Sequence, residues 1–593
     1  MARPRSNPLP RVPASADAVP TIVPAFTALG ESLRRAPTDH RAGLSLARHL
    51  ATAWSRALPL AYRGVEIAAI LRPKLIGYDA GLFTHAVRAL RASHAAREVL
   101  SSGLVPDPRG HAPDSLAGAH LLDLALGPSV PARAAGLRDR YPAHSSRAGF
   151  VPREFEVRPR SLGDAPPRGC RGTLVVLTSP NYANPLGPVA DALRRRGEPV
   201  SVLRPCGMPV PPSLGGDATD LESLLTPDLV ALRDHASAWI ARAWEDRQGL
   251  IASWYRPLGV DLWPLVERDL RRAVLGHAPT ALMLIELAHR LAAGGVRRMV
   301  AARLRRVTEL SLAYGFRAAG VPVSIVIHGH VSADPALTTD SGDFSPADAV
   351  CCWNHGQAWA VAGSPDAPHP LALKVTGNPA FDRLTADARA TDRVAARAEL
   401  ARVLHLDPSA PWFLHLTQPI TGEQHGAVAR AVLSHPRAVL LVKPHPAETR
   451  SPDFAPPPAQ DRVRVMLPGA APLHRLLVAA DVSICYSSTT NLESLLAGTP
   501  VITAALTPGL ASRDRSVALE AFGLPIALSE SALAGMVGVA AEDPAALRAG
   551  LEPAVRSALD HLCPGHGEAR AADRVASLIL GLHPRRRWHP AAG

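Results

Sequence analysis

Three short clusters in this 593-residue chain carry side chains able to hold phosphate or move a proton. The first is Lys443-Pro-His-Pro446, directly after the apolar run Ala438-Val-Leu-Leu-Val. A Lys ammonium and a His imidazole both donate to phosphate oxygens. Lys is scarce here: of 64 basic residues only Lys74, Lys374 and Lys443 are Lys. The same four residues also read as a Pro-rich turn with a solvated Lys. The second cluster is Ser487-Ser-Thr-Thr-Asn491, ahead of a helical stretch at 491–497. Hydroxyls and free backbone N–H groups at a helix start form a phosphate cradle. Thr490 and Glu493 also fit the S/T-x-x-E capping box, so Glu493 reads as a cap in preference to a ribose contact. The third cluster is His328-Gly329-His330, closing another apolar run. A Gly between polar residues lets a substrate come close, and His is the usual general base near neutral pH. His328 is the expected base, with Glu309 or Asp334 as alternatives. Its other reading is a histidine that satisfies a neighbouring carbonyl.

Clusters of this kind work only at the ends of ordered elements. Gly172-Thr-Leu-Val-Val-Leu-Thr, a helical stretch at 189–197 and Pro199-Val-Ser-Val-Leu form a strand–helix–strand unit with a parallel pair. Residues 215–318 read as mostly helical, and Val321-Pro-Val-Ser-Ile-Val-Ile-His328 as another buried strand. The alternation restarts after Phe381. Strands are expected at 412–417, 438–443, 482–486 and 501–503, with helices near 392–404, 423–434, 472–480 and 491–497. Two α/β blocks in series predict two doubly wound domains, with ligands at the carboxyl ends of strands.

The expected organisation is a flexible tail (1–20), a helical accessory domain (21–150), an N-terminal Rossmann-like acceptor-side domain (165–385), a C-terminal Rossmann-like nucleotide-binding domain (386–575) and a basic tail (576–593). At ~100–200 residues per domain the length suits three or four such units. Hydrophobic residues at 47% and charged residues at 20% allow cores and exclude wholesale disorder. No run of 18 apolar residues occurs, and the first residues lack an apolar h-region. A cytosolic protein is therefore expected. Six Cys without a CxxC pair give no zinc or disulfide framework.

The net charge of +12 is uneven. Residues 1–150 carry 19 basic and 10 acidic groups, while the remainder is close to balanced. The Arg excess lacks a reading module, so nucleic acid is not an expected partner. Peripheral attraction to an anionic membrane surface is the expectation for the N-terminal region, beside the plainer reading of a solvated helical domain.

Val375-Thr-Gly-Asn-Pro-Ala-Phe-Asp382, Leu441-Val-Lys-Pro-His-Pro446 and the stretch from Ala480 through Ser487-Ser-Thr-Thr-Asn-Leu-Glu493 to Ile502 resemble GT-B glycosyltransferases. The nearest flavour is that of bacterial capsule-polysaccharide, polysialyltransferase-like and CDP-glycerol glycerophosphotransferase enzymes. The resemblance is good over about 320–505, weaker over 172–319 and absent over 1–150. It implies two Rossmann-like domains facing a cleft. It also implies that His445, Pro446, Ser487, Ser488 and Thr489 hold nucleotide phosphates, with Gly329, His330, Gly377 and Asn378 near the cleft. The family usually has Gln before the His of its His-Gly element, where this chain has Ile327.

The implied reaction moves a sugar or polyol phosphate from a nucleotide-activated donor to a cell-surface glycan or lipid-linked acceptor. Leaving-group charge needs a metal or protein donors. The chain has no D-x-D triplet, so neither a metal nor another cofactor is expected, and Lys443, His445 and the hydroxyl-rich helix start take the metal's place. The alternatives are a UDP-N-acetylglucosamine 2-epimerase-like isomerase and a catalytically degenerate GT-B scaffold.

Overall fold

The computed structural model describes residues 54, 57, 58, 60–72 and 75, then 169–583 except 212–213, 216–217, 255–262, 330–342, 364–371, 419–423, 446–459, 467–470, 487, 507–518 and 569. A two-stranded hairpin comes first, β1 (Ala61–Tyr62) and β2 (Val65–Glu66). Its turn residues Arg63 and Gly64 both have positive φ, at 49° and 77°.

The first α/β unit runs β3 (Gly172–Val176), α1 (Ala183–Arg195), β4 (Val200–Arg204), β5 (Ala218–Asp220), α2 (Pro227–Trp254), α3 (Trp263–Arg272), α4 (Ala278–Ala293), β6 (Val296–Ala301), α5 (Val307–Ala318), β7 (Val323–Val326), β8 (Ala349–Cys352), α6 (His355–Ala362) and β9 (Leu373–Val375). Helix α7 (Pro379–Ala390) leads out of it. The second unit runs α8 (Arg393–Leu404), β10 (Trp412–Leu416), α9 (His425–Leu433), β11 (Val439–Lys443), β12 (Val463–Val465), α10 (Leu473–Ala479), β13 (Val482–Cys485), α11 (Thr489–Leu496), β14 (Val501–Ala504), β15 (Ile526–Ala527), α12 (Glu530–Glu542) and α13 (Pro544–Leu562). Helix α14 (Ala571–Leu580) closes the described chain.

The strand orders are β5-β4-β3-β6-β7-β8-β9 and β12-β11-β10-β13-β14-β15, and the pairings in both sheets are parallel. These are two Rossmann-like sheets, so the α/β class read from the sequence holds. The central strands are buried along their whole length, Gly172–Val176 and Trp412–Leu416 among them. This fits parallel sheets covered by helices on both faces. In each sheet the winding reverses once, between β3 and β6 and between β10 and β13. Open α/β sheets bind ligands in the crevice at such a reversal.

Three expectations change. The stretch 215–318 is mostly helical as expected, but it also contains β5 and β6, the second a central strand that the reading did not include. Arg297 and Arg298 interrupt its apolar run and hide it. Arg298 is held in place by Glu198 at 3.2 Å and by the Leu580 carbonyl at 3.1 Å. The part of 21–150 that is described includes a hairpin as well as helical turns, and it packs into the first unit. Trp54, Ile67, Ile70 and Leu75 share one apolar core with Trp244, Leu282 and Leu310. The remainder of 1–150 lies outside the described residues. Lastly, the expected 575/576 boundary falls inside α14. Its Val575, Ala576 and Ile579 pack with Leu186, Val189 and Leu193 of α1, so the last described helix packs on the first unit rather than on the second. No helix among the described residues is long and apolar enough to cross a membrane.

Candidate active site

The switch point of the second sheet gathers most of the expected phosphate-binding residues. Strand β11 delivers Lys443 opposite Leu416 of β10. The turn beyond is locked to β10 from both directions. Thr417 N donates to the Lys443 carbonyl at 3.2 Å, and His445 N donates to Thr417 Oγ1 at 2.9 Å. On the other side of β10, β13 leads into α11. Ser488 is extended there (φ −146°, ψ 156°) and its Oγ accepts from Thr490 N at 3.3 Å. Pro446, Ser487 and His330 lie outside the described residues.

The capping box read from Thr490 and Glu493 is corrected by this geometry. The helix starts at Thr489 with Ser488 as its cap, so Glu493 lies too far along to reach the cap backbone. Burial instead pushes the Glu493 carboxyl up to about 7, while the Lys443 ammonium pulls it the other way. The residue as a whole keeps some surface exposure. Glu493 and Lys443 therefore sense each other across the mouth of the crevice. Thr490 Oγ1 lies 3.6 Å from Cys485 Sγ, whose thiol burial pushes up to about 12. It stays protonated and is no nucleophile.

Asn491 in the first turn of α11 is fully buried, and neither its Oδ1 nor its Nδ2 has a partner. An unpaired buried amide costs about 1–3 kcal/mol. Sequence reading also passed over a buried histidine pair beneath this mouth. His415 Nδ1 lies 3.1 Å from the Ile484 carbonyl, and His415 Nε2 lies 3.0 Å from His425 Nδ1. Because a carbonyl only accepts, His415 carries its proton on Nδ1. His425 then donates from Nδ1 to His415 Nε2. The motif signal was weak, since His415 is embedded in the apolar run Trp412–Leu416.

The corresponding mouth of the first sheet holds His328, just past β7. Its ring tilts against Tyr182, with centroids 4.6 Å apart. Burial, reinforced by the Arg303 guanidinium, holds the imidazole down at about 4. It is thus neutral at pH 7 and able to accept a proton. The alternative base Glu309 is occupied elsewhere. It is 1% exposed, accepts the Thr178 hydroxyl on one oxygen, and takes the Arg305 and Arg306 N–H groups on the other at 3.0 and 3.1 Å. It fastens the start of α5, with three donors on its two oxygens. Asp334 lies outside the described residues.

Gly377 and Asn378 sit at the junction that begins α7. Asn378 Oδ1 caps that helix through Ala380 N at 3.1 Å. Gly377 has φ +80°, and a Cβ there would meet Arg574 Nη2 at 3.0 Å. Arg574 Nε in turn donates to the Thr376 carbonyl at 2.8 Å. The Gly-Asn-Pro segment is thus engaged in joining α14 to the first unit. Arg303, Arg305, Arg306 and Tyr182 went unnoticed in the sequence, because Arg is abundant throughout and β6 was read as helix.

No family model matches the chain, and no curated protein matches it. Solved structures similar to it include a putative UDP-N-acetylglucosamine 2-epimerase from Listeria monocytogenes, with 13% identity, 70% of this chain and 98% of that chain covered and a TM-score of 0.42. The wall teichoic acid polymerase TagF gives 11% identity, 78% and 95% coverage and a TM-score of 0.42. Anabaena Alr3699/HepE in complex with UDP and glucose gives 13% identity, 70% and 100% coverage and a TM-score of 0.38.

Proposed function

We propose that this chain is a GT-B-type transferase that moves a sugar or polyol phosphate from a nucleotide-activated donor to a glycan or lipid-linked acceptor. The observation that carries the reading is the meeting of Lys443, the Ser488-capped start of α11 and Glu493 at the reversal of the second sheet. A cation, the positive end of a helix and hydroxyls at one crevice suit the phosphates of a nucleotide. Charge on the departing phosphate is stabilised there by Lys443 and by the positive end of α11. His328, neutral at pH 7, takes the proton of the acceptor hydroxyl as its oxygen bonds to the transferred carbon or phosphorus and the bond to the donor phosphate breaks. The reaction is proposed to need no metal, so activity should survive EDTA.

A thermal-shift screen against CMP, CDP, UDP and GDP tests donor binding. A ligand at about 100 times its dissociation constant stabilises by ~2.7 kcal/mol. Product formation that depends on an added acceptor supports transfer. Epimer formation without an acceptor would assign an isomerase instead, and absence of nucleotide binding would make the fold a scaffold.

A further inference from the structure

Tyr182 and His328 come from strands that are not neighbours. Tyr182 follows β3 and His328 follows β7, and β6 lies between those two strands in the sheet. Their rings nevertheless meet, with centroids 4.6 Å apart and planes tilted by 58°. The contact therefore spans the carboxyl end of β6, at the reversal where an open α/β sheet takes a ligand.

The phenol ring is held from below. Tyr182 ends a single 3-10 turn, Pro180–Tyr182, that runs straight into α1, and its N–H donates to the Ser179 carbonyl at 3.0 Å. It shares an apolar core with Leu177, Val300, Ala302 and Val326. A ring packed in this way has little freedom, and it restricts the imidazole it touches. The hydroxyl stands apart from this packing. Tyr182 is 7% exposed, yet no described residue accepts from its hydroxyl. A buried phenol ordinarily finds a hydrogen-bond partner. Burial, aided by the Glu309 carboxylate, pushes this phenol above its usual 10, against the pull of Arg303, Arg306 and Arg305. It stays protonated at neutral pH and has an O–H to offer.

We propose that Tyr182 is a second residue of the acceptor site: its hydroxyl donates to an acceptor oxygen adjacent to the hydroxyl that reacts, and its ring positions the His328 imidazole. The substrate class this selects is a compound with neighbouring oxygens, the vicinal diol of a sugar or polyol, over a simple alcohol. His328 takes the proton of one hydroxyl while Tyr182 holds the other. The reacting oxygen is then oriented by two contacts from one rigid ring pair. The word acceptor rests on the transferase reading; diol binding beside His328 does not.

The test uses the full chain, with ethylene glycol and ethanol as a matched diol and simple alcohol, and the variants Tyr182→Phe and Tyr182→Leu. Binding is followed on the His328 ring signal by NMR, assigned through its loss in His328→Gln. In the parent, ethylene glycol should move that signal at about tenfold lower concentration than ethanol. Tyr182→Phe keeps the ring and loses the donor, so it should bind ethylene glycol about tenfold more weakly and no longer favour it. The part played by the ring is read from the titration of the same signal. In the parent and in Tyr182→Phe the imidazole should titrate near 4, and in Tyr182→Leu it should move towards 6.5 as water reaches it. Phe fills nearly the volume of Tyr, so the Phe variant is expected to fold even where Leu does not. If the parent does not prefer ethylene glycol, or if Tyr182→Phe responds to both probes as the parent does, the hydroxyl takes no part in binding and the proposal falls. It falls equally if a folded Tyr182→Leu still titrates near 4, because the ring then does nothing to His328. Nucleotide binding is measured separately, so loss of the donor reading would not resemble either result.

Discussion

The indole Nε1 of Trp353 donates to the carbonyl of Ile327 at 2.7 Å, one residue before His328. The Trp353 ring lies against Phe381 with centroids 5.4 Å apart, within the apolar cluster that includes Leu492 and Leu495 of α11. One buried side chain therefore ties the strand end bearing the candidate base to the helix whose start is the proposed phosphate cradle. Gln357 completes the attachment. It accepts from Trp353 N at 2.7 Å and donates to the Gly329 carbonyl at 3.1 Å. The carbonyls of the residues on both sides of His328 are thus pinned.

Trp353→Phe keeps most of the packing and removes the donor to Ile327. Leaving a buried carbonyl unpaired costs about 1–3 kcal/mol. An unfolding free energy, from urea titration, lowered by that amount is expected, with turnover reduced and nucleotide affinity nearly unchanged. A variant as stable as the parent would show that the hydrogen bond contributes nothing to holding this strand end.

At the other end of the bridge, Lys443→Ala and His445→Ala should each weaken nucleotide binding. Loss of a charge-assisted hydrogen bond costs about 1.5–3 kcal/mol, or roughly ten- to a hundredfold in dissociation constant. His445 is already positioned by its backbone bond to Thr417, so its side chain can be removed with the turn left in place. Calorimetric affinities equal to the parent in both variants would remove the phosphate site.

Glu493 makes that site pH-dependent. Its carboxyl is raised from 4.5 to about 7, so near neutral pH it is partly protonated. Rising pH through this range places a negative charge beside the donor phosphates and should weaken their binding. Glu493→Gln abolishes the change, and the affinity profile between pH 6 and 8 should flatten in that variant. The stability effect has the same direction. A carboxyl with a raised folded pKa gives stability that is present below 4.5 and lost as pH rises through about 7. The Gln variant should therefore lose less stability than the parent between pH 5 and 8.

The second unit was largely legible in the sequence, because its strands are short apolar runs flanked by Gly and Pro. The segment Val439–Lys443 and the helix start near Thr489 were found from such signals. The first unit was harder. Its central strand β6 carries Arg297 and Arg298, and Arg298 finds its partners far along the chain, Glu198 and the Leu580 carbonyl. Long-range pairing of this kind leaves no local periodicity. With β6 unseen, Arg303 to Arg306 could not be recognised as a strand-end cluster. The misplaced cap at Glu493 has another cause. Thr490 and Ser488 offer equally good cap chemistry, and only the direction of β13 decides between them.

The hairpin at 61–66 offers a test of how firmly the N-terminal stretch is attached. Glu286 of α4 is 7% exposed and accepts the Tyr62 hydroxyl at 2.9 Å, Arg63 Nε and, at 3.2 Å, Arg290 Nε. Burial alone would raise its carboxyl, yet the Arg63, Tyr62 and Arg290 donors together hold it below the usual range. Losing charge-assisted hydrogen bonds in such a half-buried cluster costs about 1.5–3 kcal/mol. Glu286→Gln should lower the unfolding free energy towards that range and expose the hairpin to proteolysis before the core unfolds. Parent-like cleavage and stability would show that apolar packing of Ile67 and Ile70 holds this segment unaided.

His328 is best tested by separating turnover, binding and stability in one variant. A base that acts only in the transition state should change kcat by about 10²–10⁴ on removal. His328→Gln should therefore lower turnover steeply while nucleotide affinity holds, because the donor phosphates are assigned to the other unit. Stability supplies an independent check on the environment. The folded imidazole titrates at about 4, against 6.5 in the unfolded chain. The unfolded state thus binds a proton first as pH falls. The stability tied to neutral His328 is complete above 6.5 and disappears progressively towards pH 4. That difference corresponds to about 3 kcal/mol. The parent should lose this much more than His328→Gln between pH 6.5 and 4 in urea titrations. If the two proteins lose stability in parallel, His328 is not desolvated against Arg303. Its role as a neutral base at the first crevice would then have to be abandoned, whatever the kinetics show.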